Sequence, residues 1–457
     1  MSLSIIILAA GQGTRMRSSL PKVLHPVGGK PLLQHVLDTA STFTAADIHV
    51  VIGHGADQVR AQFAQAAVNW VVQAEQLGTG HAVAQVLPDI PRANTVLVMY
   101  GDIPLVRRQT LDALHEIASQ DDAVGLLTAH LEEPAGYGRI LHDGDANICG
   151  IVEEKDATET QRRIREINTG FIAAPAGRLH DWVASLENDN ASGEYYLTDV
   201  ISLAVRDGVA VRGVSTNDPD ETLGVNDRIQ LARLERDYQQ RQASVCLQAG
   251  VTLIDPARFD LRGRLTAGAD VVIDVNAVLE GEIILGDRVR VGPNAVIRNA
   301  TIAADVTILA NCVIEDAEIG AGSRIGPFAR IRPETRLADN THIGNFVEIK
   351  KSDIGTGSKV NHLSYVGDST IGRNVNIGAG TITCNYDGAN KHRTVIGDNV
   401  FIGSDTQLVA PVEVKSGATI GAGSTITRDA PAGELTLSRA PQQTRPGWKR
   451  PGKQTRE

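Results

Sequence analysis

A segment near the amino terminus combines glycines and cations at a spacing that suits phosphate binding. Residues 8–15 read LAAGQGTR and directly follow a short apolar run. Gly11 and Gly13 let the backbone approach a phosphate closely, and Arg15 supplies a charge spread over a planar group. Lys22 follows as a second cation. The glycines alone indicate no more than a strand-to-helix turn, but together with the two cations they favour an anion site.

A single carboxylate follows a second apolar run. Asp102 comes directly after Tyr100 and Gly101, at the end of a run predicted to be a strand over 95–99. Mg²⁺ keeps several waters and takes few protein oxygens, so one carboxylate at a strand end is a reasonable ligand. Taken alone, Asp102 is as readily a turn residue.

His362 is the candidate for acid–base chemistry, because an imidazole titrates near neutral pH. The chain has 12 histidines, and a lone histidine is more often structural than catalytic. Here Arg332 and Lys350 precede His362, and a polar segment over 383–391 follows it. A base, two cations and several polar side chains meet if the chain brings these segments together, and that clustering favours a functional histidine.

The elements that position His362 are predicted by a repeat of six residues. From Leu285 to Ile426 an aliphatic residue recurs at nearly every sixth position, often before a glycine. This period is the signature of a hexapeptide β-helix, in which the aliphatic residue points inward. The step shortens to five residues in the pairs Ile297/Ile302, Ile314/Ile319, Ile349/Ile354 and Val366/Ile371, and one long break separates Ile377 from Ile396. The segment 383–391 lies in that break, so we expect it to be a loop that leaves the coil.

The first half of the chain has a different pattern. Short β-rich runs over 5–9, 49–52, 95–99 and 124–129 alternate with helical stretches over 32–41 and 108–119. This alternation predicts a mostly parallel sheet with helices on both faces, which binds ligands beyond the carboxyl ends of its strands. A charged helix is predicted over 227–248, capped by Asp227. One of its faces would hold Leu231, Leu234, Tyr238 and Val245.

Bulk composition excludes several classes of protein. The net charge of −10 argues against a general nucleic-acid binder. The four scattered cysteines indicate neither a zinc site nor a disulfide framework. Neither a signal peptide nor a stretch long enough for membrane insertion is present, so the prediction is a cytoplasmic protein. The basic tail is either an anion contact or a solvated end.

The segment over 8–15 resembles the signature of sugar-1-phosphate nucleotidyltransferases. The whole chain is similar to their bacterial bifunctional members, the N-acetylglucosamine-1-phosphate uridyltransferase / glucosamine-1-phosphate N-acetyltransferase family. That resemblance implies an α/β, Rossmann-like nucleotidyltransferase domain joined by a helical arm to an all-β left-handed parallel β-helix. The segments would be a uridyltransferase domain over 1–226, a linker helix over 227–248, an acetyltransferase domain over 249–435 and a basic tail over 436–457. Gln12 departs from the pattern, since members often carry lysine there.

The resemblance also implies roles for single residues in the first domain. Arg15 and Lys22 would be catalytic, Gln73, Gly78 and Thr79 would read the uracil of UTP, and Asp102 with Asn226 would hold Mg²⁺. The residues implied to bind UTP or UDP-N-acetylglucosamine are Leu8, Ala9, Ala10, Gly11, Lys22, Gln73, Gly78, Thr79, Tyr100, Gly101, Asp102, Gly138, Glu153, Asn168 and Asn226.

In the second domain the resemblance implies that His362 is the general base of acetyl transfer. The residues implied to bind glucosamine-1-phosphate are Arg332, Lys350, Tyr365 and Asn376, and those implied to bind acetyl-CoA are Ala379, Asn385, Tyr386, Ser404, Ala422 and Arg439. Asn385 and Tyr386 would also help to orient the sugar and the acetyl group. The basic tail would then meet the phosphates of the coenzyme.

The predicted function is acetyl transfer from acetyl-CoA to glucosamine-1-phosphate, followed by uridylyl transfer from UTP. The product, UDP-N-acetylglucosamine, would serve peptidoglycan and lipopolysaccharide synthesis. The predicted assembly is a homotrimer with acetyltransferase sites between subunits. Two alternatives remain: a uridyltransferase whose β-helix only trimerises or regulates, and a non-enzymatic assembly subunit with a degenerate nucleotide site.

Overall fold

The computed structural model describes residues 2–216 and 218–453, which fall into two compact units. The first unit ends at Tyr238 and the second begins at Gln239, so the division lies inside a helix. The α-helices are α1 (Leu32–Ala40), α2 (Ala56–Gln62), α3 (Thr79–Ala84), α4 (Arg108–Gln120), α5 (Glu159–Arg162), α6 (Ala176–Ala184), α7 (Asp199–Arg206) and α8 (Arg228–Gln248).

The first unit is built on one mixed sheet. Its strands run in the order β11-β7-β10-β6-β1-β4-β5, and a hairpin of β8 and β9 joins β10. All pairs along this order are parallel except those of β10, which is antiparallel to β6 and β7, so the predicted mostly parallel sheet is confirmed. The strands of this unit are β1 (Leu3–Ala9), β2 (Pro26–Val27), β3 (Lys30–Pro31), β4 (Asp47–Ile52), β5 (Asn69–Val72), β6 (Thr95–Tyr100), β7 (Val124–His130), β8 (Arg139–His142), β9 (Ile148–Val152), β10 (Glu166–Pro175) and β11 (Val211–Ser215).

Both faces of this sheet are covered. All seven residues of β1 are buried, with Ile6 and Leu8 in one apolar cluster and Ile5 and Ile7 in the other. This continuous apolar run is what a central parallel strand requires when helices pack on each side. The carboxyl ends of β1 and β6 therefore meet at one edge, where Gly101 N–H donates to the Leu8 carbonyl at 2.9 Å.

Helix α8 begins as the sequence predicts and then changes the face that it buries. Asp227 Oδ1 accepts from the N–H groups of residues 229 and 230 at 2.9 Å each, which confirms it as the cap. Leu234 is buried in the first unit, and Tyr238 packs against the same cluster. Val245 shares the predicted helical face with Leu234, but it is 60% exposed, so this face is not buried near the end of the helix. Beyond Gln239 the helix packs on the core of the second unit, and there it buries Ala243 and Cys246 instead.

The second unit is a parallel β-helix. The aliphatic residues of the six-residue repeat from Leu285 to Ile426 are at most 3% exposed, so the predicted inward row is confirmed. Its strands are β12 (Thr252–Leu253), β13 (Phe259–Ala267), β14 (Val272–Ile273), β15 (Ala277–Leu285), β16 (Arg290–Val291), β17 (Val296–Ile302), β18 (Thr307–Ile308), β19 (Val313–Ile319), β20 (Arg324–Ile325), β21 (Arg330–Ile331), β22 (Thr335–Leu337), β23 (His342–Asn345), β24 (Glu348–Lys350), β25 (Asp353–Ile354), β26 (Lys359–His362), β27 (Tyr365–Gly367), β28 (Ser369–Ile371), β29 (Asn376–Ile377), β30 (Ile382–Cys384), β31 (Thr394–Ile396), β32 (Phe401–Ile402), β33 (Gln407–Val409), β34 (Val412–Val414), β35 (Thr419–Ile420), β36 (Thr425–Ile426) and β37 (Leu435–Thr436).

Each coil consists of three short flat sides, and the register between neighbouring coils follows from the number of residues in each side. Ile325 pairs with Ile343 where all three sides have six residues, whereas Ile343 pairs with Val360 because one side there has five. Neighbouring coils approach so closely that a Cβ on Gly378 would lie 2.5 Å from the Ser404 nitrogen. This is the physical reason for a glycine after the inward residue. The last pairing reaches Leu435–Thr436 on β37, and the basic tail follows, with residues 454–457 outside the described part of the chain.

Candidate active sites

A cavity of about 560 Å³ opens in the first unit beyond the carboxyl ends of β1 and β6. This volume is within the range of ligand pockets, and its position is where parallel sheets bind ligands. The structure therefore brings together most of the residues predicted to bind the nucleotide. The residues that line the cavity are Leu8, Ala9, Ala10, Gly11, Gln12, Lys22, Val23, Gln73, Gln76, Gly78, Thr79, Ala82, Tyr100, Asp102, Glu194 and Asn226.

Lys22, Asp102 and Asn226 meet in this cavity although they are far apart in the sequence. The Lys22 ammonium forms an ion pair with Asp102 Oδ2 and lies 3.4 Å from Asn226 Oδ1. The side chains of Lys22 and Asp102 are each only 14% exposed, so the pair is shielded from solvent. Val225 N–H also donates to the Asp102 carbonyl at 3.1 Å, which ties Asn226 to the end of β6.

The oxygens of Asp102 and Asn226 fit a divalent cation. A carboxylate and an amide oxygen already converge on one positive charge, the Lys22 ammonium. Within residues 2–216 and 218–453 there is no group of three or more His, Cys, Asp or Glu side chains that could hold a metal. A pair of protein oxygens supplemented by water and phosphate is the donor set that Mg²⁺ accepts.

The glycine-containing segment forms a tight turn around Lys22. Gly13 has φ +61°, and a Cβ there would lie 2.8 Å from the Lys22 Cβ, so only glycine fits without a shift. A short 3₁₀ helix, Thr14–Met16, follows and carries Arg15. The Arg15 side chain is exposed and is not among the residues that line the cavity. The two predicted cations therefore differ, because Lys22 is placed inside and Arg15 outside the cavity.

The segment predicted to read uracil is held by hydrogen bonds. Gln73 is 3% exposed, and its Nε2 contacts the Gly78 carbonyl at 3.1 Å and His81 Nδ1 at 3.0 Å. Gly78 has φ +109° at the start of α3, a backbone conformation that disfavours side chains. Thr79 Oγ1 accepts from the Leu197 N–H at 3.0 Å. These bonds fix the rim of the cavity before any ligand enters.

The residues predicted to hold the sugar, Gly138, Glu153 and Asn168, are not among those that line the cavity. Asn168 N–H donates to the Gly138 carbonyl at 2.9 Å, and Asn168 Oδ1 accepts from the Gly170 N–H at 3.0 Å. The Tyr100 ring fits against Gly170, where a Cβ would be 2.5 Å from the ring. Burial raises the pKa of Glu153, and Thr198 Oγ1 opposes this rise by donating to Glu153 Oε1 at 3.0 Å.

Sequence reasoning assigned no role to several residues that line the cavity, namely Gln12, Val23, Gln76, Ala82 and Glu194. Gln76 lies between the predicted Gln73 and Gly78, so its position was a usable signal. Glu194 lies in an irregular stretch between α6 and α7, and no pattern in the sequence relates it to the cavity.

In the second unit His362 lies on β26 with its imidazole exposed. Its Nδ1 is 2.7 Å from Oδ1 of Asn345, the residue that pairs with it on the preceding coil. Within the described part of the chain Nε2 has no hydrogen-bond partner, so it is free to accept a proton from a ligand. Asn345 was missed by sequence reasoning, although its place one coil before His362 follows from the repeat.

Of the residues predicted to contact acetyl-CoA, three stack on successive coils after that of His362, namely Ala379, Ser404 and Ala422, whereas Asn385 and Tyr386 lie in the loop after β30. The carbonyls of His362, Ala379 and Ser404 accept from N–H groups on the next coil at 3.3, 2.7 and 2.8 Å. The Ala422 carbonyl accepts from Arg439 Nη1 at 2.8 Å, which places the guanidinium at the end of this column. Coils stack by about 4.8 Å, so the column spans roughly 15 Å from the histidine to Ala422. This geometry suits an extended ligand with its reactive end at His362.

The predicted phosphate-binding cations lie on neighbouring coils and carry acidic partners. Arg332 Nη1 is 2.8 Å from Glu348 Oε1, and this hydrogen bond raises the pKa of the guanidinium. Lys350 Nζ is 3.8 Å from Asp368 Oδ2. The positive charge of Lys350 lowers the pKa of the loop residue Lys391. Lys391 was not assigned from the sequence, and its positive charge adds to that of Lys350 at this place on the β-helix.

The loop predicted over 383–391 leaves the coil between β30 and β31, but it begins two residues later than predicted, because Thr383 and Cys384 still pair with the next coil on β33. Asn385 Nδ2 donates to Asp368 Oδ2 at 2.5 Å and approaches the Tyr365 hydroxyl at 3.4 Å. Tyr386 is 60% exposed and donates to the Gly388 carbonyl at 2.6 Å. The structure thus brings Tyr365 and Asn385 together.

The loop is closed by one carboxylate. Asp387 Oδ1 accepts from the backbone N–H groups of residues 389 and 390, and Oδ2 lies 2.7 Å from His392 Nε2. These hydrogen bonds hold the pKa of the Asp387 carboxyl well below its usual range. Asn376, the remaining predicted sugar ligand, lies on β29, the coil after His362, where it pairs with Lys359 and Phe401.

Comparison with known proteins places both units among transferases. The family described as the MobA-like NTP transferase domain matches residues 5–163. The GMPPB C-terminal domain matches residues 261–339, and the bacterial transferase hexapeptide (six repeats) matches residues 393–428.

Relatives align over the full length of the chain. A protein of Alkalilimnicola ehrlichii is 58% identical over 99% of this chain and 97% of its own length. One of Marinobacter nauticus is 58% identical over 99% of both chains, and one of Ralstonia nicotianae is 57% identical over 100% of both. Each of the three is named bifunctional protein GlmU. At this identity and coverage, the chain belongs to the family of the bifunctional protein GlmU.

Proposed function

We propose that the protein acetylates glucosamine-1-phosphate with acetyl-CoA and then joins the product to UTP, giving UDP-N-acetylglucosamine and pyrophosphate. The observation that carries this proposal is that each unit holds its own set of converging groups. Lys22, Asp102 and Asn226 meet in the cavity of the first unit. In the second unit, His362 lies at one end of the stack formed by Ala379, Ser404 and Ala422 on successive coils. Lys350 on β24 and Lys391 in the loop after β30 supply positive charge.

In acetyl transfer, His362 Nε2 takes a proton from the amine of glucosamine-1-phosphate as the nitrogen attacks the thioester carbonyl. A C–N bond forms, the C–S bond breaks, and coenzyme A leaves as a thiol after it receives a proton. Lys350, Lys391 and Arg332 hold the sugar phosphate by charge. The free Nε2 of His362 supports this role and weighs against the alternative in which the β-helix only assembles the protein.

In uridylyl transfer, a phosphate oxygen of N-acetylglucosamine-1-phosphate attacks the α-phosphorus of UTP and pyrophosphate leaves. The Lys22 ammonium neutralises phosphate charge inside the cavity, and the glycine turn brings backbone N–H groups to the phosphates. Asp102 and Asn226 would hold Mg²⁺, which supplies further charge neutralisation when bound. Arg15 would have to approach the phosphates from outside this lining, because its exposed side chain is not among the residues that form the cavity.

One assay tests both activities. Purified protein is incubated with glucosamine-1-phosphate, acetyl-CoA, UTP and Mg²⁺, and each component is omitted in turn. We expect N-acetylglucosamine-1-phosphate to accumulate without UTP and no UDP-sugar to form without acetyl-CoA. If added N-acetylglucosamine-1-phosphate is uridylylated but glucosamine-1-phosphate is never acetylated, the protein is a single-activity uridyltransferase.

We further propose that the protein acts as a homotrimer in the cytoplasm. The β-helix exposes apolar side chains on one corner beside His362. Phe328 and Phe346 stack with ring centroids 5.3 Å apart although they are 50% and 56% exposed, and Leu363 follows at 63%. Such a ridge supports burial against another copy of the chain, so that a neighbour would complete each acetyltransferase site.

Both co-substrates, UTP and acetyl-CoA, are intracellular metabolites. In the described residues no helix is long and apolar enough to cross a bilayer.

The trimer prediction is tested on the ridge itself. Phe346→Asn removes an exposed ring at a position with φ +55°, a conformation that asparagine tolerates. We expect the variant to lose assembly at micromolar concentration and acetyl transfer with it, but to keep uridylyl transfer. The control is Ile284→Asn, which changes an apolar side chain that is 48% exposed elsewhere on the β-helix. Sedimentation that shows a monomeric wild-type protein would contradict the proposal.

The two activities are expected to separate by truncation. A fragment over 1–226 is predicted to retain some uridylyl transfer and no acetyl transfer. A fragment over 1–238 should be more stable by about 3 kcal/mol or more, because it restores the buried Leu234. It also restores the Gln230 side chain that accepts from the Asn226 N–H at 2.7 Å. Urea unfolding and turnover of both fragments check this, and acetyl transfer by either fragment would refute the assignment.

A further inference from the structure

Beyond the general base itself, the structure points to a residue that positions it. We propose that Asn345 is a positioning residue for acetyl transfer: its Oδ1 accepts the Nδ1–H of His362 and so keeps the proton off Nε2. The inference rests on the proposed acetyltransferase function. No charge is involved in this bond, since Asn345 offers a neutral amide oxygen at 2.7 Å.

The backbone holds both partners in place. Asn345 and His362 pair across β23 and β26, next to the buried Ile343 and Val360. Gly344, the residue before Asn345, leaves room for the next coil, because a Cβ there would lie 1.9 Å from the Asn361 carbonyl oxygen. The two side chains therefore start from a fixed separation, and little conformational entropy is lost when they bond.

The hydrogen bond decides which ring nitrogen is the base. In a neutral imidazole one nitrogen donates and the other accepts. With Nδ1 as the donor to Asn345, the lone pair is on Nε2, the nitrogen that has no partner in the described part of the chain. Without this acceptor the ring is free to rotate and to place its proton on Nε2, and that form cannot accept a proton from the substrate there.

Other groups near the ring do not replace Asn345. The titratable or charged groups on the strands stacked here are His342 on β23 and Lys359 on β26, and β29 carries neither. Burial lowers the pKa of His342, and the Arg324, Lys359 and His362 charges lower it further. His342 therefore tends to be neutral, and neither it nor Lys359 offers an anion to orient His362.

The test compares two substitutions in the full-length protein. Asn345→Leu removes the acceptor at similar size, and we expect kcat for acetyl transfer to fall about 10–100-fold. The KM values should change less than kcat, because the inference assigns Asn345 no substrate contact. Asn345→Asp restores an acceptor, so activity at high pH should return to within a few-fold of wild type. Its negative charge should move the acid limb of the pH–rate profile upward by about one pH unit.

A second readout is independent of turnover. Protein labelled with ¹⁵N-histidine reports the tautomer of each ring by NMR, and His362 is assigned with His362→Ala. We expect the Nδ1–H tautomer at His362 in wild type and its loss in Asn345→Leu. Asn294→Asp is the matched control, because Asn294 also bonds to asparagines on adjacent coils at 2.9 and 3.1 Å, away from His362. Uridylyl transfer on each preparation checks folding.

The outcomes separate the two proposals. An Nε2–H tautomer at His362 in wild type, or acetyl transfer by Asn345→Leu within two-fold of wild type, overturns the role of Asn345. If His362→Ala acetylates as fast as wild type, the proposed general base is wrong instead. The tautomer measurement still tests the Asn345 bond in that case.

Discussion

Replacing His362 with alanine is expected to reduce acetyl transfer by about 10²–10⁴-fold, the range that general-base catalysis contributes, while uridylyl transfer stays unchanged. The His362 ring is exposed, whereas Val360, two positions earlier on the same strand, is the residue that packs in the core. The substitution should therefore leave the β-helix intact. Both rates are measured on one preparation. The control is His342→Ala, which removes a half-buried ring from the preceding coil and should change acetyl transfer by only a few-fold.

The pH profile gives a second check on this role. The base accepts a proton only when its ring is neutral, so the acetyl-transfer rate of the wild type should rise as pH increases through the titration of imidazole. Deprotonation of the substrate amine produces a similar limb, so the comparison with His362→Ala is decisive. Acetyl transfer by the variant within a few-fold of wild type would make His362 structural and revive the scaffold alternative.

Replacing Asp102 with alanine is expected to reduce uridylyl transfer by about 10²–10³-fold and to leave acetyl transfer nearly unchanged. The estimate is the cost of losing one preorganised electrostatic group in an active site. Two effects add: the predicted Mg²⁺ ligand is lost, and the Lys22 ammonium loses its ion-pair partner. Mg²⁺ titrations should show that Asp102→Asn, which keeps one oxygen, is active only at a higher metal concentration than wild type.

A surface variant provides the control for this prediction. Asp112→Ala removes a carboxylate that pairs with Arg108 at 2.8 Å on α4, where the side chain is 42% exposed. Exposed pairs contribute little, so both activities should stay near wild type. Equal losses of the two activities in Asp102→Ala would indicate unfolding, and an unchanged requirement for Mg²⁺ would contradict the assignment of Asp102 as a ligand.

The sequence alone determined the architecture of the second unit, because its period admits one solution. An aliphatic residue at every sixth position matches neither a helix nor an alternating strand, so the inward row, the five-residue sides and the extruded loop could all be predicted. The same repeat placed Lys350 and His362 on successive coils. In the first unit, alternating runs determined the sheet class and the edge that carries residues 8–15 and Asp102.

Only the tertiary structure decided which polar groups touch. Asn345 is 17 residues from His362, and Asp368 is 17 residues from Asn385, yet each pair is joined by a hydrogen bond. The repeat predicts the coil on which a residue lies, but side-chain direction depends on packing between coils. Lys22 and Asn226 are separated by 204 residues, and no periodicity relates them. Val245 shares a helical face with Leu234 and is nevertheless exposed, because a helix buries the face that its neighbours cover, and those neighbours change where the second core begins.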